Sequence, residues 1–201
     1  RDIGVTGVQT CALPILVGFS DVSALLLAQV AAGHGGAVHG STAGDDAQWQ
    51  RLAGLLRGEP LQELRGTSWR SGVASGPLVV TNLTVATSLI GTPWFPNLRG
   101  AVLLLEDVGE APYRVDRMLT QWRCSGLLQE VAAIGVGRFR WQEDDVLPGD
   151  LSLDEVLRDR LTDLGVPVLA GLPVGHGHPN LALPLGRRAR LDDDRGVLAV
   201  D

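Results

Sequence analysis

The sequence has few of the features that mark a disulfide scaffold, a metal-binding module or a membrane protein. It holds two cysteines, Cys11 and Cys124, in 201 residues, with no CxxC pair and no Cys/His spacing of the zinc-binding kind. This excludes a disulfide framework and fits unpaired thiols in a reducing compartment. No run of basic residues occurs and the formal net charge is −6, which argues against nucleic acid or an anionic membrane as partner. The most apolar stretch, Leu13 to Ala32, is interrupted by Asp21 and makes a poor membrane span. It also lacks the basic lead and the small-residue cleavage site of a secretory signal, so the expected location is cytoplasmic. No internal repeat is present. The hydrophobic content of 45% suffices to build a core for one ordinary domain or two small ones.

The opening residues 1–15, RDIGVTGVQTCALPI, show neither strand alternation nor helical spacing. The run VTGVQTCALPI resembles a translated sequencing-adapter primer. The expectation is that residues 1–15 are foreign, that the native chain starts near Leu16, and that Cys11 has no role.

From Leu16 onward, buried-strand patterns alternate with helical ones, which defines an α/β class. A short apolar run ends at Gly18 and turns through Phe19-Ser20-Asp21 into a helical pattern over Val22–Ala32, stopped by Gly33, Gly35 and Gly36. Ala37-Val38-His39 reads as a short strand. Asp45–Arg57 reads as a helix with Trp49, Leu52, Leu55 and Leu56 on one side, and Leu61–Ser75 as a connector with a domain boundary near Gly66. Beyond it come a helix from Asn82 to Ile90 and a doubly buried strand over Ala101–Leu105 ending at Glu106. A loop and a helix from Pro112 to Ser125 follow, then a strand over Ala132–Val136, a helix over Leu153–Leu164 and a strand over Pro167–Leu172. The tail from Leu181 alternates as terminal strands do.

Three reactive groups follow directly on buried strands, where ligands bind in open α/β sheets. Ser20, in Gly-Phe-Ser-Asp, sits between a strand end and a helix start. A tight turn there lifts the hydroxyl, and the Asp21 N–H points to where an oxyanion would form. The same residue types also cap helices, and the second glycine of G-x-S-x-G is missing. Glu106 can orient an imidazole or be a solvated strand end paired with Arg114 or Arg117; Glu110 is its rival. His176, in Gly-His-Gly-His, has the chemistry of a general base at neutral pH. It also fits a plain surface loop, with His178 as the alternative base. His34 and His39 read as loop or packing residues. No carboxylate lies near enough in sequence to the histidine pair to make a metal site. The order Ser…Glu…His suits nucleophilic acyl transfer.

The segment NLTVATSLIGTPWFPNLRGAVLLLEDVGEAPYRVDRMLTQW resembles the hallmark block of the muramoyl-tetrapeptide (L,D-) carboxypeptidases, serine peptidase family S66. GFSDVSALLLA and GVPVLAGLPVGHGHPNLALPLGRRARLD are similar to two further blocks of that family. The resemblance implies Ser20 as nucleophile, Glu106 as the residue orienting the histidine, His176 as base and the Asp21 N–H as oxyanion donor. It implies no metal or other cofactor, a homodimer, and release of D-alanine from murein tetrapeptides during cell-wall recycling. The implied fold is the remnant of a flavodoxin-like N-terminal domain, residues 16–65, with a smaller C-terminal α/β domain of swivelling β/β/α-like type, residues 66–201. The chain departs from the family pattern in three ways. The Arg-Gly-Gly loop upstream of the nucleophile is absent, Val80-Thr81 replace Gly-Gly before Asn82, and Ser41 replaces proline after His39-Gly40. Two other outcomes stay open. One is a hydrolase of peptidyl-nucleotide antibiotics, in which Trp141 would stack on the nucleobase. The other is a truncated, non-catalytic chain that pairs with another subunit. Arg187, Arg188 and Arg190 read as a solvated face.

Overall fold

The computed structural model describes residues 15–141, 149 and 151–201. The expectation for residues 1–15 therefore falls, apart from Ile15, outside the described residues. The first strand, Leu16–Gly18 (β1), turns through Phe19 into a single 3-10 turn at Ser20–Val22, which leads straight into the helix Ser23–Ala31 (α1). Ala37–His39 (β2) then lies parallel to β1, with Gly18 opposite His39. Asp46–Leu56 (α2) follows, its first turn closed by the Asp45 carboxylate, which accepts from the Gln48 N–H at 2.9 Å. The buried stripe of α2 is Gln48, Leu52 and Leu55, whereas Trp49 and Leu56 face solvent. The expected single apolar side is thus narrower, because only the i, i+4, i+7 line meets the rest of the fold.

The connector supplies two short strands, Leu64–Arg65 (β3) and Thr67–Arg70 (β4). After it runs the longest strand, Val73–Asn82 (β5), then the helix Leu83–Leu89 (α3), the strand Val102–Val108 (β6) and the helix Pro112–Cys124 (α4). Ala133–Arg140 (β7), Leu153–Leu161 (α5), Val168–Ala170 (β8), Leu183–Pro184 (β9), Arg188–Asp192 (β10) and Val197–Val200 (β11) complete the described elements. Two sheets result. The larger has the order β3-β11-β10-β5-β6-β7-β8-β4, and the smaller β1-β2-β9.

Strands β5 to β8 are mutually parallel, and their aliphatic segments at Leu78–Val80, Val102–Leu105 and Ala133–Val136 are buried, as a sheet covered on both faces requires. Antiparallel strands close the edges, with β10 on β5 and β4 on β8. Segments from both sides of Gly66 share sheets, since β9 pairs with β2 and β3 with β11. Arg51 strengthens the first of these junctions. Its guanidinium donates to the Ala182 carbonyl at 2.9 Å and the Gln62 carbonyl at 3.0 Å, and burial pulls its pKa down to about 10.

Two expectations need correction here. Strand β6 does not end at Glu106 but continues through Asp107 to Val108. The pairing with β7 shifts register between Leu105 and Asp107, so an extra residue of β7 is accommodated there and the ladder runs on. Strand β7 likewise extends four residues beyond Val136, to Arg140.

Candidate active site

The carboxyl ends of the parallel strands in the two sheets face each other, and the reactive groups gather in that gap. At the end of β1, Ser20 adopts φ 59°. A left-handed backbone is costly for a residue with a side chain and serves to present that side chain outward at a sharp strand-to-helix turn. Of the non-glycine residues described, only Ser20 has a positive φ. Its side chain is not the cap of the following turn: the N-cap position is Phe19, and no side chain caps that end. The Val22 N–H bonds the Phe19 carbonyl at 3.2 Å. The Asp21 N–H belongs to the first-turn donors that a helix cannot satisfy internally, at the positive end of the helix dipole.

Glu106 lies inside β6 and is fully buried. Its Oε2 accepts from His176 Nδ1 at 2.7 Å and from the His176 backbone N–H at 3.2 Å. One carboxylate oxygen therefore holds both the ring and the loop that carries it. With Nδ1 as donor, Nε2 is the ring nitrogen left to take a proton. Burial pushes the Glu106 carboxyl up, but the two imidazoles at its flanks, His39 and His176, more than offset this and hold it below its ordinary value.

The loop reaches Glu106 because residue 175 is glycine. Gly175 has φ 100°, and a Cβ there would lie 2.6 Å from Glu106 Cβ and Oε2. The loop is tied down by the Gly175 N–H donating to Asn180 Oδ1 at 2.9 Å and by Arg138 Nη1 donating to the Pro179 carbonyl at 2.8 Å. Phe19 packs its ring on His176 at a centroid distance of 5.0 Å, so the residue before Ser20 touches the imidazole directly. No hydrogen bond joins Ser20 Oγ to His176 Nε2. Bonds of this kind are often long in unliganded sites.

The rival groups have other partners. Glu110 pairs with Arg114 at 3.5 Å on the first turn of α4, and His178 is exposed and meets Asp45 at 3.1 Å. His34 lines a separate apolar cavity beside β2. His39 is not in a loop: it is fully buried in β2, with Nε2 3.7 Å from Glu106 Oε1. Sequence reasoning missed this contact, for which the flanking Val38 and Gly40 give no signal. A cavity of about 400 Å³ opens over His176 and is lined by Phe19, Ser41, Gln48, Val108, Arg140 and His178 among others, but by neither Ser20 nor Trp141. Arg187, Arg188 and Arg190 fall on and beside β10 rather than at this cavity. Among the described residues no group of three or more His, Cys, Asp or Glu side chains could hold a metal ion. No described helix is long and apolar enough to cross a membrane.

A serine in a left-handed turn at a helix start, preceded by the phenylalanine that packs on a histidine gripped by a buried glutamate, supplies the kinds of group that acyl transfer uses. Residues 75–191, more than half of the chain, match the LD-carboxypeptidase C-terminal domain. The chain belongs to this family, the S66 peptidases. It is 47% identical over 190 residues to a carboxypeptidase-like protein of Synechocystis sp., covering 92% of this chain and 62% of that one. It is 34% identical over 202 residues to the murein tetrapeptide carboxypeptidase of Pseudomonas aeruginosa, covering 90% and 63%. Among solved structures, the muramoyltetrapeptide carboxypeptidase from Oxalobacter formigenes superposes with a TM-score of 0.80 at 31% identity, over 92% of this chain and 67% of that one. The microcin C7 self-immunity protein MccF superposes with a TM-score of 0.79 at 22% identity, over 92% and 66%, a likeness in fold. The chain thus spans less than two thirds of the length of the two relatives.

Proposed function

We propose that this chain carries the catalytic groups of a serine L,D-carboxypeptidase that releases terminal D-alanine from murein tetrapeptides in the cytoplasm, working as a homodimer. Residues 16–65 supply the nucleophile as part of an N-terminal unit, and residues 66–201 form the domain bearing the glutamate and histidine. The observation that carries this reading is the 2.7 Å contact of Glu106 with His176 Nδ1, across Phe19 from the left-handed Ser20.

In this mechanism His176 Nε2 takes the Ser20 proton as Oγ attacks the carbonyl preceding D-alanine. Negative charge gathers on the carbonyl oxygen and is met by the Asp21 N–H at the positive end of the helix. Glu106 holds the imidazole in place and stabilises it while it is charged. The imidazolium then protonates the leaving amine, and water activated by the same histidine releases the peptide acid from Ser20. An exopeptidase of this type must also recognise the free carboxylate of the terminal residue. Arg140 lines the cavity over His176 and is the cation in its wall suited to that carboxylate.

A second reading, hydrolysis of peptidyl-nucleotide antibiotics, draws on the fold likeness to MccF. Among the described residues, Trp141, the aromatic expected to stack on the nucleobase, is outside the lining of the cavity. Incubating the chain with an L,D-tetrapeptide and, separately, with an aminoacyl sulfamoyl nucleotide tests both readings. D-Alanine release from the peptide, with the nucleotide left intact, is the expected outcome. Cleavage of the nucleotide alone would replace this reading with the second.

A further inference from the structure

His176 uses one half of the Glu106 carboxylate. The other oxygen, Oε1, is buried and has no hydrogen-bond partner, and both ring nitrogens of His39 are equally buried and unpartnered. These orphaned atoms face each other, with His39 Nε2 3.7 Å from Glu106 Oε1 and both side chains at 0% exposure. That gap is about half an ångström beyond a normal hydrogen bond, within reach of a small rotation of the glutamate side chain.

The surroundings leave His39 little freedom. Its backbone is locked in the middle strand of the small sheet, opposite Gly18 on one side and Leu183 on the other. The Phe19 ring stands edge-on to it at a centroid distance of 6.2 Å while also touching His176 at 5.0 Å. Phe19 therefore fills the space between the two imidazoles, and the carboxylate is left as the ionisable group each of them meets. A neutral imidazole carries one N–H and one bare nitrogen. A bare Nε2 would set two lone pairs against each other in a dry site, whereas an Nε2–H meets an acceptor.

We propose that His39 is a positioning residue that directs its Nε2–H at Glu106 Oε1. It anchors the carboxylate from the side opposite His176, keeps it ionised, and fixes the rotamer in which Oε2 grips the ring and backbone of His176. The effect of His39 on turnover rests on the carboxypeptidase reading above; the pairing itself does not. Buried carboxylates of this kind need each oxygen engaged, since a lone anchor leaves the side-chain torsions free to carry Oε2 off the histidine.

The direct test is long-range 1H–15N spectroscopy of the chain labelled at its four histidines, with His39→Gln used to assign the His39 signals. The expected result at neutral pH is the Nε2–H tautomer for His39, with signals that move in Glu106→Gln. A bare Nε2, or signals indifferent to Glu106→Gln, overturns the proposal. The kinetic arm follows D-alanine release. His39→Leu is expected to lower kcat by up to about a hundredfold with KM little changed, the loss that follows when a catalytic group is displaced by about 1 Å. His39→Gln, whose amide nitrogen can donate from a similar position, is expected to recover most of it. Wild-type kcat in a folded His39→Leu chain, or no recovery in a folded His39→Gln chain, also overturns the proposal. If the wild-type chain itself releases no D-alanine, the carboxypeptidase reading fails while the tautomer still decides the role of His39.

Discussion

Gly175→Ala puts the site under a defined strain. The backbone there has φ 100°, a region that L residues avoid, at a cost of about 1–3 kcal/mol. The new methyl would also lie 2.6 Å from Glu106 Cβ and 2.8 Å from its Cγ, about an ångström inside ordinary contact. Overpacking of a filled site adds about 1–3 kcal/mol. A combined loss near 3 kcal/mol lowers the melting temperature by about 6–12 °C in a domain of this size. The clash falls on the residue that orients His176, so kcat for D-alanine release should drop as well, by about a hundredfold for a displacement near 1 Å. Thermal melting by circular dichroism and initial rates on the tetrapeptide read the two effects. Gly177→Ala is the comparison: its methyl would press on the Arg138 side chain at 2.7 Å and on the bond that side chain makes to the Pro179 carbonyl, but it strains no left-handed backbone and does not touch Glu106, so a smaller loss follows. A Gly175→Ala chain that melts like the wild type and keeps its kcat would refute the packing of this loop on Glu106.

Glu106→Gln removes the charge but keeps the shape, and kcat should fall by about four orders of magnitude while the fold is retained; activity within tenfold of wild type would deny Glu106 its orienting role. The Glu106 carboxyl is held below its ordinary value in the folded chain, so its contribution to stability is present above that ordinary value and is lost as pH falls through the depressed one. Melting temperatures of wild type and Glu106→Gln should therefore converge on the acid side, whereas a gap constant down to the lowest measurable pH contradicts that sign. Using the difference between these chains cancels Asp107, whose carboxyl is shifted upward by burial and acts in the opposite sense. Arg140→Ala should raise KM for the tetrapeptide about tenfold or more with a smaller change in kcat, and an unchanged KM would remove Arg140 from carboxylate recognition.

Much of the α/β pattern could be read from the chain because its parallel strands are almost wholly aliphatic, as in Ala101–Leu105 and Ala132–Val136. The longest strand, β5, was hidden by its own punctuation. Gly76 and Pro77 are residue types that interrupt strand patterns, yet residue 76 is a glycine because a Cβ would come 1.9 Å from the Gly100 carbonyl oxygen, leaving no space for a side chain inside the strand. The candidate site was legible where local sequence carries the geometry: Ser20 at a strand-to-helix turn, and His176 between glycines. It was not legible where the geometry is made by distant segments. His39 looks like a packing residue in Ala-Val-His, and its partner, Glu106, is brought to it only when the small sheet meets the carboxyl ends of the large one. Arg140 was missed because the extension of β7 past Val136 depends on the register shift against β6, which no local pattern announces.

The most direct measurement is D-alanine release from a murein L,D-tetrapeptide by this chain and by its Ser20→Ala variant, at equal folded concentration. Release by the wild-type chain, lost in Ser20→Ala, is the predicted result. Release that survives in the variant, or none from the wild-type chain, would contradict a Ser20–His176–Glu106 triad at work in this chain.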